Sequence, residues 1–223
     1  MKRALLVVGS PRSERSSSNS ILDYLGTRLV EHGVTIEKTY LYRLQDEHGL
    51  ESLLASVDAS DIVVLGAPLY VDSLPAPVIS ALQFIASHRT QESRSTRPMF
   101  GVVMNSGFPE AFQSDCAIEN CRLFAQRASL QWAGGIAFGG GAAIAGRPLQ
   151  ETGGITRFLR PALDMAAAAL AKGDPIPDSA IRLAARPMLP TSIYLTMATR
   201  TWKRIAKHHG AHNKLGAMPF ARE

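Results

Sequence analysis

A doubly wound α/β domain, with five parallel strands and helices on both faces, is predicted by three observations in this 223-residue chain. Continuous apolar runs recur along it, helical patterns separate them, and polar, turn-forming segments follow the runs directly. Runs without alternation suit strands covered on both faces, and strand–helix repetition builds a parallel sheet through right-handed crossovers.

The elements follow in order. Residues 4–8 form the first apolar run, ended by Gly9, and a Ser/Asn-rich cap then opens a helical pattern over 21–30. Residues 34–40 alternate and read as a second strand, before a helical pattern over 50–57. The run 62–65 leads through two prolines to a helix over 78–85, and 99–104 leads to one over 117–128. The fifth strand, 132–138, precedes a helix over 155–170. Beyond Pro175 and Pro177 the composition changes, which divides the chain into a domain of residues 1–177 and an extension of residues 178–223.

Composition narrows the class. The chain is 46% hydrophobic and 19% charged, as in globular proteins. Its start lacks the long apolar core and cleavage site of a secretory leader, and no run is long enough for a membrane span, so a cytoplasmic location is expected. Cys116 and Cys121 are too few for a disulfide scaffold or a four-thiolate cluster and read as packed or surface thiols. Residues 1–177 hold 16 Lys+Arg against 17 Asp+Glu, whereas residues 178–223 hold 8 against 2. The tail thus carries the whole positive balance, and the domain has no aromatic-interleaved basic motif that would point to nucleic acid.

In a sheet of this type ligands sit beyond the carboxyl ends of the strands. After the first strand come Gly9, Ser10, Pro11 and Arg12, and then Ser13, Ser16, Ser17, Ser18, Asn19 and Ser20 fill the approach to the helix. Unpaired N–H groups at a helix start, hydroxyl donors and one guanidinium suit a phosphate. The loop has neither the dinucleotide glycine fingerprint nor the G-K-[ST] ending of an ATP loop, so a mononucleotide fits it better. Simple capping by Ser18 or Asn19 is the competing reading; it leaves Arg12 unexplained.

After the third strand, residues 66–75 read G-A-P-L-Y-V-D-S-L-P, an apolar turn centred on Tyr70 that can lie along a planar ring. After the fourth, Asn105, Ser106 and Gly107 offer polar groups and close backbone approach. Either loop alone is also an ordinary connection; three at one sheet edge make a site. Gly134 and Gly135 with Gly139, Gly140 and Gly141 flank the fifth strand, and turning the backbone is their simpler role. No catalytic acid or base stands out, since His32, His48 and His88 fall in or beside helical patterns away from the strand ends.

G-S-P-R followed by S-N-S at the helix start, and G-A-P-L-Y after the third strand, resemble the flavodoxin-like NADPH-dependent FMN reductases and related NAD(P)H-dependent oxidoreductases. The resemblance covers roughly residues 3–172. It implies a flavodoxin-like fold, FMN as cofactor and NADPH or NADH as co-substrate. It also implies that Ser10, Arg12, Ser18, Asn19 and Ser20 hold the phosphate, that Pro68, Leu69, Tyr70 and Val71 lie along the isoalloxazine, and that Asn105, Ser106 and Gly107 approach its polar edge. The first loop is longer than the family's compact form, and the cysteine cluster of the iron–sulfur members is missing, so no metal is expected.

The function these readings lead to is transfer of electrons from a nicotinamide through FMN to a quinone, an azo or nitro compound, a flavin or another small acceptor. A flavodoxin-type electron carrier and a cofactor-less interaction module are the alternatives. Electron carriers of that type tend to be acidic, which this domain is not. The expected partners are the small-molecule acceptor and a second copy of the chain, with no nucleic acid. In the tail, Tyr194, Ala198, Trp202 and Ile205 recur at helical spacing beside Arg200, Lys203, Arg204 and Lys207, which predicts a basic amphipathic helix. It would cover the domain or a second subunit, or contact a membrane surface or an acidic partner.

Overall fold

In the computed structural model, which describes residues 1–44, 46–91 and 97–218, the chain forms the expected sheet. Its strands are β1 (Arg3–Val8), β2 (Thr35–Tyr40), β3 (Ile62–Pro68), β4 (Met99–Asn105) and β5 (Gln131–Phe138). All neighbours pair parallel, in the order β2-β1-β3-β4-β5. The order reverses between β1 and β3, which makes that gap the topological switch point.

The helices alternate with the strands: α1 (Ser17–Glu31), α2 (Glu47–Asp58), α3 (Ala76–Gln91), α4 (Asp115–Arg127), α5 (Leu159–Lys172) and a short α6 (Asp178–Ala184). Every residue of β4 is buried and β3 is buried throughout except at Pro68, which explains why neither strand alternates in sequence. At the sheet edge β2 is half exposed, and the alternation read over 34–40 holds in burial from Val34 to Glu37 and breaks from Lys38 onward.

Successive side chains of a strand feed opposite layers. Leu5, Val7, Val63, Leu65, Phe100 and Val102 join Leu53, Val78, Ile85 and Phe124 of α2, α3 and α4 in one core. Leu6 points to the other face, where it lies against Gly26 of α1, and α1 packs beside α5. Below the core, fully buried Arg89 pairs with Asp58 and donates from Nε to the carbonyl of Ala128 at 2.7 Å, tying the ends of α2, α3 and α4 together.

Two local features differ from the sequence reading. Gly134 and Gly135 lie inside β5 rather than at its ends, because the strand bulges there: the β4–β5 register skips one residue after the Phe100–Trp132 pair. The freed carbonyl of Ala133 accepts a hydrogen bond from the N–H of Ile176 at 2.7 Å, so the segment leading into α6 covers this sheet edge. The pattern read as a helix over 155–170 is two pieces, a 3-10 segment Leu149–Thr156 with Gly153 in left-handed conformation, and then α5.

The chain divides into two compact units, Met1–Met188 and Leu189–Glu223. The division leaves α6 with the sheet, eleven residues beyond the Pro-marked boundary expected at 177/178. The second unit contains one helix, α7 (Thr191–His208), and turns up to residue 218. Of the expected extension, residues 219–223 lie outside the described residues.

Candidate functional site

The loop after β1 runs from Gly9, whose N–H bonds to the carbonyl of Gly66 at 2.8 Å, through a 3-10 turn Ser13–Arg15 to the start of α1. The helix is capped by Ser16, not Ser18 or Asn19: its Oγ accepts from the N–H of Asn19 at 3.0 Å and donates to the carbonyl of Ser13 at 2.6 Å. With Ser16 as cap, Ser18, Asn19 and Ser20 fall in the first turn of the helix. The backbone N–H groups of Ser17 and Ser18 then make no hydrogen bond among the described residues. They are the donors that a helix start leaves for an anion.

The predicted phosphate residues divide by where their side chains point. Buried Ser10 opens the loop, and Arg12 is exposed without a partner among the described residues. Ser18 Oγ accepts from Asn105 Nδ2 at 2.8 Å, which leaves its own proton to donate. Ser20 donates back to the carbonyl of Ser16. Asn19 turns toward β2, where its amide nitrogen donates to Asp23 and its oxygen accepts from Lys38 and Tyr40. Burial opposes the charge on Lys38, but its hydrogen bonds to Asp23 and Tyr40 prevail and raise its pKa. Glu14 is the acid of this loop; a backbone hydrogen bond and then Arg43 hold its carboxyl below the usual carboxylate range. That pairing offsets the one negative charge that would oppose an anion here.

After β3 the chain makes a two-residue hairpin. Tyr70 and Ser73 exchange both backbone hydrogen bonds, at 2.9 and 3.1 Å, across Val71 and Asp72. Both central residues have positive φ, 48° and 59°, as a mirror-image turn requires. Such turns favour Asn-Gly; a β-branched valine there is strained. Val71 is 97% exposed and Tyr70 46%. Burial and then the charge of Tyr70 raise the pKa of Tyr42 in the Leu41–Arg43 turn.

After β4, Asn105 is the hub. Its Nδ2 donates to Ser18 and to the carbonyl of Ala67, and its own carbonyl accepts from the N–H of Leu69 at 2.9 Å, so one residue joins the ends of β3, β4 and α1. Buried Ser106 donates its N–H to the carbonyl of Phe138, whereas the space beside Gly107 is open. Phe108 and Phe112 stand exposed nearby in sequence.

The glycines after β5 close the edge of this group by close packing. A Cβ at Gly139 would meet the carbonyl oxygen of Pro109 at 2.3 Å, and one at Gly141 would meet Asn105 Oδ1 at 2.7 Å. The carbonyl of Gly141 accepts from Ser17 Oγ at 2.8 Å, and its N–H bonds to the carbonyl of Ser106. The structure therefore brings Ser10, Ser18, Pro68 to Val71 and Asn105 to Gly107 to one end of the sheet. Asn19 and Ser20 are engaged within the protein. Ser17, Tyr42 and the hairpin geometry escaped the sequence reading; the triple glycine was the available signal for the contact between the last two loops.

No family model and no curated relative matches the chain. Solved structures do. An FMN-dependent NADH-azoreductase from Bacillus anthracis, in complex with FMN, is 13% identical with a TM-score of 0.56, covering 77% of this chain and 100% of its own. A flavone reductase gives 13% and 0.58, over 81% of this chain and 70% of its own. A flavodoxin from Streptococcus pneumoniae strain TIGR4 gives 11% and 0.53, over 77% and 99%. The fold is flavodoxin-like. At this identity the likeness establishes architecture, and the sheet order agrees with it. The flavodoxin-like fold implied by G-S-P-R and G-A-P-L-Y is the fold that these neighbours share.

Proposed function

We propose that this flavodoxin-like protein is an FMN-dependent NAD(P)H oxidoreductase that passes electrons to a small acceptor, such as a quinone, an azo or nitro compound, or a flavin. The observation that carries the reading is the start of α1. Two free N–H groups, the Ser18 hydroxyl and an unpaired guanidinium stand at the switch point, with the loop's one carboxylate neutralised by Arg43. This donor set fits one phosphate. Ser10, Arg12 and Ser18 would hold it with the backbone of Ser17 and Ser18, while Asn19 and Ser20 support the turn from behind.

The strained hairpin supports the second half of the site. Tyr70 and Val71 offer an exposed apolar wall after half-buried Pro68 and Leu69, suited to a planar ring, and Asn105, Ser106 and Gly107 would approach the ring's polar edge. Bound there, FMN would supply hydride acceptance and electron delivery; the chain's part is to hold the ring, shape its electronics and leave a face for the two substrates. The neighbours named for FMN-dependent azoreduction and flavone reduction favour an enzyme over a carrier.

The test is an anaerobic titration of the FMN-loaded protein with NADH and with NADPH. Rapid bleaching by a nicotinamide, with reoxidation on addition of a quinone or azo dye, is the expected result. A flavin that binds but stays oxidised would show a carrier, and a chain that binds no FMN would show an interaction module.

A further inference from the structure

Helix α7 belongs to the second unit and holds none of the residues proposed for the site, and its surface has a chemistry of its own. It runs for 18 residues, Thr191–His208, about 27 Å at the usual rise per residue. Its first half, up to Thr199, has no charged side chain; from Arg200 onward Arg200, Lys203, Arg204 and Lys207 crowd one side. Tyr194, Leu195, Ala198, Trp202 and Ile205 form a stripe on the opposite side. The large apolar side chains are open to solvent: Leu195 is 53% exposed, Trp202 66% and Ile205 44%.

Charge decides what would cover that stripe. Residues 189–223 carry 6 Lys+Arg against 1 Asp+Glu, whereas residues 1–188 carry 18 against 18. The sheet unit therefore offers no net opposite charge, and a second copy of this extension would add a like net charge. A surface that is apolar inside and anionic outside matches both features at once. No helix among the described residues is long and apolar enough to cross a membrane, so α7 would lie along a bilayer and not through it. We propose that α7 is a docking helix for the surface of an anionic lipid bilayer, with Trp202 and Ile205 entering the acyl boundary and Arg200, Lys203, Arg204 and Lys207 meeting the lipid phosphates.

The full-length protein is mixed with vesicles of phosphatidylcholine containing phosphatidylglycerol, and with vesicles of phosphatidylcholine alone. Sedimentation with the anionic vesicles at low salt, a blue shift of tryptophan emission and release as salt rises are expected. Lys203→Gln, Arg204→Gln and Lys207→Gln combined should weaken vesicle binding on the order of 100-fold, since each surface cation contributes about a factor of five. Trp202→Phe should keep sedimentation and abolish the emission shift, because the other tryptophan, Trp132, is a residue of β5 and not of the helix. Absence of sedimentation at low salt overturns the proposal, as does equal binding of the full-length protein to neutral and anionic vesicles, or a triple variant that binds anionic vesicles as tightly as the parent. A lipid-free blue shift that grows with protein concentration would instead assign the stripe to self-association. The same shift produced by polyglutamate without lipid would assign it to an acidic protein partner.

Discussion

Arg12 stands at the edge of the first loop with no partner among the described residues, and the structure gives it no role in folding. A charge-assisted hydrogen bond to phosphate is typically worth about 1.5 to 3 kcal/mol, whereas an exposed loop substitution shifts stability by about 0.5 kcal/mol or less. Arg12→Ala should therefore weaken FMN binding roughly 10- to 100-fold, by fluorescence-quench titration, with an unchanged denaturant midpoint. Unaltered affinity would remove Arg12 from the site. The two thiols differ as sharply. Cys116 is exposed, while burial pushes the Cys121 thiol up to about 12. A thiol reagent at mildly alkaline pH should titrate one cysteine in the native protein and two after denaturation. The sign of the pH effect follows: the unfolded chain loses the Cys121 proton near the ordinary thiol value of 9.0 and the folded chain retains it to about 12. Cys121 thus contributes stability below pH 9 that is lost as pH rises through that interval, and Cys121→Ala should flatten the decline in Tm there.

The hairpin at 70–73 carries its own prediction. A valine in the left-handed region costs on the order of 1 to 3 kcal/mol, and Val71 recovers none of it by burial. Val71→Gly should raise the unfolding free energy by about 1 kcal/mol and weaken FMN binding, because the wall loses its apolar tip. Greater stability with unchanged flavin affinity would leave the valine without a function. Among the elements, the five strands and five main helices were legible because burial on both faces writes continuous apolar runs at β3 and β4, and because one covered face writes alternation at β2. The α6 helix was not legible: seven residues following Pro177, with only Ala180 and Ala184 buried, leave almost no periodic signal. At the site, the loops could be read from their position after the strands, but side-chain directions could not. Asn19 turns to Lys38 and Tyr40, and Ser16 takes the cap, through contacts set by the packing of α1 against β2. A run of serines gives no clue to which one caps.

At the scale of the whole molecule, the position of the boundary decides which truncation keeps the flavin site. The prolines suggest residue 177, and the contact structure places the division after Met188. The difference is α6 and the residues after it, and these belong to the sheet unit physically. Ala180 and Ala184 are buried against α5 and β5, Met188 is buried, and Arg157 reaches the Met188 carbonyl at 3.2 Å. Ending the chain at 177 leaves Ile176 on the bulge of β5 but uncovers the faces of α5 and β5 behind α6, a loss of roughly 3 kcal/mol or more at the usual value per buried apolar group. For a domain of this size that is about 6 to 12 °C in Tm. Ending the chain at 188 removes only α7 and the turns that follow it. The 1–188 protein should therefore melt with the full-length chain and bind FMN with equal affinity, while the 1–177 protein melts well below both. Thermal unfolding of the three chains with and without saturating FMN checks this. Because the loops proposed for the phosphate and the ring all precede residue 110, FMN should still raise the Tm of the 1–177 protein. A 1–188 protein unable to bind FMN would show that α7 takes part in the flavin site.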